Sequence, residues 1–419
     1  MKQSSYRGWA VLVVGTLCMA IIFSSQASLP GIFTIPVTKD LHVTRTAFNL
    51  HISLIMLAAI PASLIIGKTL TKKNVRIYAG ICTLMCAFCF WGYSSATRLW
   101  HFYVISTLFG FFGRGCTKIA VCLLVNDWFG PKLRGKMIGI TMAGSSFGAI
   151  LLNPLLSQIN AELQWRASYR LLTLLALILV PLVWFSFVQR PQNINQIGNT
   201  KELLPQNKLV PKGVYVKQAM QRPPFWIIHA LLFISTGVVM AFLANGVSFL
   251  TDSNLTALQA GSIMSVGSLT TAIGNPLLGG ICDKLGVKKG VICVTASLGL
   301  GLAIITIAGS NLVVVCTAML LIGFGNAAGN TMVPMILLDY YGDVDFAKHN
   351  GYSGISTGLG GAIGPILAVR IFDSFGSYHP AWILSAVLML VFVCTILMLY
   401  RNKAKRRDYH GREKGNYEC

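Results

Sequence analysis

Acidic residues are scarce in this chain: it has 13 Asp and Glu among 419 residues, and only 11% of its residues are charged. In soluble globular domains about a quarter of the residues are charged. Hydrophobic residues make up 54% of the chain, and the mean hydropathy is +0.65. The shortage of charge excludes an ordinary soluble domain and indicates an integral membrane protein.

Motifs for nucleotide hydrolysis and zinc proteolysis are also missing, since neither GxxxxGK[ST] nor HExxH occurs. The 11 cysteines are scattered through apolar segments without metal-ligand or disulfide spacing, and we interpret them as small apolar residues. We therefore expect a protein that is not an enzyme and that holds no cofactor and no metal.

Long apolar runs fill most of the chain, each about as long as a helix that crosses a hydrocarbon core of about 30 Å. They predict an all-α membrane protein with twelve transmembrane helices. The first run follows two basic residues like a secretory signal, but it is too long and eleven more runs follow. The predicted spans are residues 9–33, 47–66, 76–95, 101–124, 137–158, 168–188, 225–249, 257–281, 290–309, 312–338, 351–371 and 379–400.

Positive charge is unevenly distributed over this topology. With the amino terminus in the cytoplasm, cytoplasmic segments hold 26 of the 34 Lys and Arg and external loops hold 6. This asymmetry follows the positive-inside rule and places both termini in the cytoplasm. It explains the net charge of +21 without nucleic acid. The basic tail, residues 401–419, is expected to lie near anionic lipid of the plasma or inner membrane.

The two halves of the chain repeat each other at an offset of 212 residues. They predict two homologous six-helix bundles, residues 1–188 and 225–400, joined by a cytoplasmic linker, residues 189–224. Such repeats place a substrate site between the bundles near the bilayer midplane. The gap-free matches include Gly67 with Gly279, Lys72 with Lys284, Gly113 with Gly325, Asp127 with Asp339, Gly139 with Gly351, and Gly148 with Gly360.

Glycines recur at four-residue spacing in the fifth, tenth and eleventh predicted helices, where they allow close approach of helix backbones. Static packing accounts for each single pair, while their concentration in these helices also fits an interface that opens and closes. The pairs are Gly135 with Gly139, Gly144 with Gly148, Gly325 with Gly329, Gly354 with Gly358, and Gly360 with Gly364.

The loop after the eighth predicted helix, residues 279–289, reads GGICDKLGVKK. It resembles the cytoplasmic signature G-x-x-x-D-R-x-G-R-K of the major facilitator superfamily, and the resemblance covers essentially the whole chain. The matching loop of the first half, residues 67–76, keeps the glycine and the basic residues but has Thr71 in place of the aspartate. The resemblance implies a cytoplasmic gate formed by Gly279, Asp283, Lys284, Gly286 and Lys288.

Asp283 is expected to hold this gate closed, because a carboxylate at a helix end can pair with a cation or with the positive end of a neighbouring helix. A tight, solvated turn is the alternative. Residues 8–11 and 128–129 are similar to the monocarboxylate and oxalate/formate exchanger branch of the superfamily. The chain departs from that branch at Asn275, where a cation is common, and in having only Arg370 in the eleventh helix.

The stretch GFFGRGCTK, residues 110–118, places two positive charges inside a segment that otherwise indicates a lipid-buried helix. Charged groups inside a membrane are costly and usually face a cavity that serves as a pathway. Arg114 and Lys118 are four residues apart and share a helical face. In the superfamily's arrangement this fourth helix lines the central cavity, and the repeat pairs the two cations with Asn326 and Asn330.

A guanidinium, an ammonium and amide donors together suit an anion, so we predict that these four residues bind substrate. Gln26 of the first helix is a further candidate. In the competing interpretation, Arg114 binds carbonyl groups at the end of a neighbouring helix and Lys118 snorkels toward the cytoplasm.

No acidic residue lies in the middle of a predicted span, so the usual carboxylate relay for protons is missing. Importing a lone anion against an inside-negative potential costs about 2.3 kcal/mol per charge per 100 mV, which favours exchange or electroneutral facilitation. We therefore expect a monomeric alternating-access carrier in the lipid bilayer for a small organic anion of the carboxylate class. The alternatives are a carrier for a larger amphipathic anion such as a bile salt, a multidrug exporter, and a membrane sensor that does not transport.

Overall fold

The computed structural model describes residues 2–70, 74–129, 131–188, 197, 214–326, 332–342 and 346–415, and these residues are almost entirely helical. In the first half, the helices are α1 (Lys2–Cys18), a π-helical turn (Met19–Phe23), α2 (Ser24–Ala27), a 3-10 turn (Pro30–Phe33), α3 (Thr34–Leu41), α4 (Arg45–Thr69), α5 (Val75–Ser94), α6 (Leu99–Cys116), α7 (Lys118–Trp128), α8 (Pro131–Glu162) and α9 (Trp165–Ser186). In the second half, they are α10 (Val216–Met220), α11 (Pro223–Asp252), α12 (Ala257–Leu285), α13 (Val287–Ile307), α14 (Leu312–Asn326), α15 (Val333–Tyr341), α16 (Phe346–Phe375) and α17 (His379–Gly415).

Among the described residues, ten helical stretches are long and apolar enough to cross a membrane. They coincide with the first seven predicted spans and with the ninth, eleventh and twelfth. The 29-residue α12 occupies the eighth, and α14 and the first part of α15 lie within the tenth. The prediction of an all-α fold with twelve membrane helices is therefore confirmed. The domain boundaries stay predictions, because most of the linker lies outside the described residues.

Local sequence signals set several helix ends. Thr44 caps α4 by accepting a hydrogen bond from the Ala47 amide at 3.2 Å, and Thr256 forms a capping box with Gln259 at the start of α12. Gly286 separates α12 from α13 with a φ of 87°, a conformation that favours glycine. This backbone requirement is the physical reason for a glycine at that position of the predicted gate motif.

Two glycines that the repeat matches, Gly148 and Gly360, allow close helix packing, each within its own bundle. A Cβ on Gly148 of α8 would lie 1.9 Å from the Ala20 carbonyl oxygen, and a Cβ on Gly360 of α16 would lie 2.1 Å from that of Phe233. These close contacts within one bundle favour static packing for both pairs. Residues 144–148 also match GxSxG, the pattern of a hydrolase nucleophile elbow, but here they form continuous helix instead of a strand-turn-helix.

The two bundles meet near the external ends of their helices. Ser265 of α12 donates a hydrogen bond to the Ile150 carbonyl of α8 at 2.9 Å, and Ser53 of α4 donates to the Ala362 carbonyl of α16. With the amino terminus in the cytoplasm, α4 and α12 both begin on the external side, and both serines lie in the external halves of these helices. The contacts therefore close the external side of the molecule.

Candidate anion-binding site

The fourth predicted span is interrupted between its two cations. The first helix, α6, ends at Cys116, the second, α7, begins at Lys118, and Thr117 between them has φ −110° and ψ −122°, outside the helical range. Gly113 and Gly115 each weaken a helix by about 1 kcal/mol relative to alanine, which favours a break here. Interrupted helices at membrane depth are typical of the substrate sites of transporters.

The first predicted span is also irregular, in the part that packs beside the two cations. Residues Met19–Phe23 form a single π-helical turn, a feature that is frequent at functional sites. The Phe23 ring contacts both cations: Arg114 Cζ lies 5.9 Å and Lys118 Nζ 4.5 Å from the ring centroid. Both distances are within the reach of about 6 Å for a cation–π interaction. The structure thus brings Arg114 and Lys118 to one aromatic ring, although they belong to two helices.

Arg114 has a buried donor that is unsatisfied. Its Nε atom is buried and has no hydrogen-bond partner among the described residues, while the side chain as a whole is partly exposed. Leaving a buried donor without an acceptor costs about 1–3 kcal/mol. An acceptor that reaches this guanidinium would therefore stabilise the site. The Lys118 side chain is also partly exposed.

Gln26 joins the first and fourth predicted spans. Its Nε2 atom donates to the Phe109 carbonyl at 2.7 Å, and the residue is 1% exposed. Gly113 allows this approach, because a Cβ there would lie 1.9 Å from Gln26 Nε2. At least one amide hydrogen of Gln26 is thus used within the protein, and its role in substrate binding stays a prediction.

Asn326 lies at the end of α14 and donates to the Thr271 hydroxyl at 3.4 Å. It lines a cavity of about 20 Å³ between α11, α12, α13 and α14, together with Phe242 and Ser268. A cavity of this size holds about one water molecule. Asn330 lies outside the described residues. The pairing of both asparagines with the two cations across the repeat therefore stays a prediction.

The residues of the gate motif lie around the end of α12. Gly279, Asp283 and Lys284 belong to α12, and Lys288 lies in the first turn of α13. Lys284 is exposed and Lys288 is partly exposed. The backbone of Asp283 is helical, but its side chain is outside what the structure describes, so its role in closing the gate stays a prediction.

Sequence reasoning missed Phe23 and the polar face of α4. An aromatic residue in an apolar helix carries no signal of its own, and a π-helical turn has no residue pattern that would reveal it. For α4 a signal was present: Arg45, Asn49 and Ser53 recur every four residues in an otherwise apolar helix. That spacing places them on one face.

Several known proteins are similar to this chain. The sequence model described as Major Facilitator Superfamily matches residues 15–256 and 244–417. The hexuronate transporter of Bacillus subtilis (strain 168) is 24% identical over 349 residues, which are 77% of this chain and 80% of that protein. The sialic acid transporter NanX of Escherichia coli (strain K12) is 25% identical over 296 residues, 67% of each chain. Monocarboxylate transporter 12 of Homo sapiens is 23% identical over 327 residues, 71% of this chain and 62% of that protein.

The fold also resembles that of a solved structure. The crystal structure of the nucleoside transporter NupG superposes with a TM-score of 0.72, covering 94% of this chain and 99% of the other. Sequence identity is only 13%, so this likeness concerns the fold alone.

Proposed function

Because the chain belongs to the Major Facilitator Superfamily, we propose that it carries a hydroxylated organic carboxylate across the plasma or inner membrane by alternating access. Its class as a multi-pass membrane transporter, which is not an enzyme, follows from the family and from the ten apolar helices among its described residues. The substrate class and the mode of transport are what we propose here.

One observation carries the choice of an anion: the buried, unsatisfied Nε of Arg114 lies beside the ring that also contacts Lys118. The planar guanidinium matches a carboxylate in a two-point geometry, and the ammonium adds a second positive charge. A cationic drug would be repelled here, which argues against a multidrug exporter.

The names of the three relatives described above support a carboxylate. Hexuronate, sialic acid and monocarboxylates are all acids, and the first two carry several hydroxyl groups. Hydroxyls need hydrogen-bond partners when they leave water. Asn326 and Gln26 are the amide candidates from sequence reasoning that the structure describes, and we propose them as secondary contacts to such hydroxyls.

Exchange of one anion for another is the proposed mode. None of the 13 acidic residues lies in the middle of a predicted span, so no carboxylate is placed there to carry a compensating proton. Exchange of like charges avoids most of the electrical cost of moving a lone anion.

Counterflow into proteoliposomes tests this proposal. Vesicles preloaded with unlabelled anion are given radiolabelled D-glucuronate, N-acetylneuraminate, L-lactate or taurocholate. We expect uptake of the two sugar acids by the unaltered protein. Arg114→Gln should reduce it about tenfold or more, because a hydrogen bond to a charged group contributes about 1.5–3 kcal/mol. Arg114→Lys, which keeps the charge but not the fork, should be intermediate.

Arg170→Gln is the matched control, because Arg170 is exposed on α9, and it should transport normally. Unchanged counterflow of every carboxylate by Arg114→Gln would overturn the anion site. Counterflow of taurocholate alone would indicate a larger amphipathic anion, and binding without any counterflow would indicate a sensor. Stimulation by an imposed pH gradient alone would contradict exchange.

A further inference from the structure

A polar face of α4 joins the two bundles on the external side. Arg45, Asn49 and Ser53 recur every four residues of this helix and so lie on one face. The Nδ2 of Asn49 donates to the Oδ1 of Asn245 in α11 at 2.6 Å, and Ser53 donates to the Ala362 carbonyl of α16. Asn49 and Asn245 are both fully buried. We call Arg45, Asn49 and Ser53 the external latch.

The partners of Arg45 that the structure describes belong to the second bundle. Its guanidinium donates to both carboxylate oxygens of Asp252, at the end of α11, over 2.5 and 2.9 Å. It also lies 4.4 Å from the centre of the Phe372 ring and 5.9 Å from that of Tyr378. The exposed fraction is 19% for the Arg45 side chain and 33% for the Asp252 side chain. When the bundles separate externally, Arg45 loses these contacts together.

The internal repeat shows that an acid at this position does not need a partner from the other bundle. At the offset of 212, Asp252 matches Asp40 and Tyr378 matches Arg166. In the first bundle, Arg166 binds Asp40 at 2.7 Å, so that acid is paired within its own bundle. The second bundle has a neutral tyrosine at the matching position. Asp252 instead binds a cation of the first bundle.

We propose that Arg45 is an external entry site for the transported anion, at which a substrate carboxylate takes the place of the Asp252 carboxylate. This inference rests on the proposed function. The two-point contact with Asp252 shows that the guanidinium is oriented to receive a carboxylate. After opening, Arg45 stays on the first bundle, which also carries Arg114. A cation at the mouth of the pathway raises the local concentration of anions.

The test compares two variants that break the same ion pair. In whole cells, initial rates of radiolabelled D-glucuronate uptake give the external KM of Asp252→Asn and of Arg45→Gln. Both substitutions weaken the latch, but only Arg45→Gln removes the entry site. We expect Asp252→Asn to lower KM and Arg45→Gln to raise it, each by about two- to fivefold, the range of an exposed ion pair. Asp40→Asn breaks the matching pair inside the first bundle and should leave KM unchanged.

A second measurement follows the latch without substrate. Asn49→Cys places a thiol on its buried face, and a membrane-impermeant maleimide reports how often this face opens to the outside. Adding Asp252→Asn or Arg45→Gln should raise the labelling rate several-fold over the same background. The chain without the added cysteine corrects for labelling of native thiols.

The labelling experiment tests the external latch, and the KM measurements test the entry site. Unchanged labelling in both variants overturns the latch, and a shift of KM in the same direction for both overturns the entry site. Either result is compatible with a loss of transport in Arg114→Gln, so failure of this inference differs from failure of the proposed function. Absence of glucuronate uptake by the unaltered chain counts against both the entry site and the proposed function, while labelling still decides the latch.

Discussion

At Gly113 the absence of a Cβ atom determines how closely two helices approach in the candidate site. A Cβ there would lie 1.9 Å from Gln26 Nε2, so any larger residue displaces the amide that binds the Phe109 carbonyl. The neighbouring Gly110 is equally constrained, since its Cβ would lie 2.4 Å from the Ile55 carbonyl oxygen. These two glycines bring the cation-bearing helix against the first two spans.

Gly113→Ala should therefore destabilise the protein by about 1–3 kcal/mol, because the hydrogen bond from Gln26 to the Phe109 carbonyl is lost and the buried Gln26 amide is left without this acceptor. The measurement is the Tm of the purified protein in detergent. Adding Gln26→Ala should recover part of the loss, since it makes room for the new methyl group. Gly139→Ala is the control: a Cβ at Gly139 meets nothing within 4 Å, and Tm should not fall. Strictly additive losses in the double variant would contradict the steric explanation.

The two cations of the candidate site are evident from the sequence, whereas the residues that pack around them are not. Arg114 and Lys118 stand out because a charge in an apolar run is costly. Phe23 has no such signal, although it ends the π-helical turn and its ring contacts both cations. Gln26 stands out in the sequence as a polar residue. Its hydrogen bond to Phe109, 83 residues further along the chain, depends on how the first and fourth spans pack.

At the scale of helices, a surface ion pair ties the external end of α3 to the start of α9. Arg166 donates to the Asp40 carboxylate at 2.7 Å and Trp165 Nε1 donates at 3.2 Å. The hydrogen bond from Arg166 lowers the pKa of Asp40 below its ordinary value, the bond from Trp165 and the nearby positive charges act in the same direction, and partial burial opposes them. The tie therefore stabilises the folded protein when Asp40 is ionised.

The ion pair between Arg166 and Asp40 should make the stability of the folded protein depend on pH. Because the pKa of Asp40 is lower in the folded than in the unfolded chain, its contribution is fully present above the unfolded value of about 3.9 and is lost as pH falls through the folded value. We expect the Tm difference between the unaltered protein and Asp40→Asn to be largest above about pH 4 and to shrink in stronger acid. A difference independent of pH would contradict the assignment.

At the scale of the whole molecule, alternating access requires the external contacts to break in every cycle. A double substitution Asn49→Cys and Asn245→Cys, bridged by a short, reducible bifunctional thiol reagent, should hold the external side closed and abolish counterflow, because Asn49 Nδ2 and Asn245 Oδ1 lie 2.6 Å apart across the bundles. Reduction should restore counterflow. The control pair is Asn160→Cys with Ser168→Cys, whose side chains meet at 2.6 Å within one bundle. Continued transport by the cross-linked first pair would contradict closure at this point.

Much of the architecture could be predicted from the sequence because apolar runs and the repeat are local or periodic features. The match of Gly148 with Gly360 correctly indicated equivalent helix packing in the two bundles. The external closure could not be predicted, since it depends on which faces of α4 and α11 meet. The repeat even suggests equivalence for Asp40 and Asp252, although one is paired inside a bundle and the other between bundles.

The interruption at Thr117 also sets the direction of the backbone dipoles around the site. Arg114 lies in the last turn of α6, at its partly negative end, and Lys118 is the first residue of α7, at its partly positive end. A cation is favoured in the first place and disfavoured in the second, by about 0.3–1 kcal/mol each. The backbone thus offsets part of the charge of Arg114 and adds to that of Lys118. An anion placed beside Lys118 would therefore be attracted by the side chain and by the peptide dipoles of α7 together.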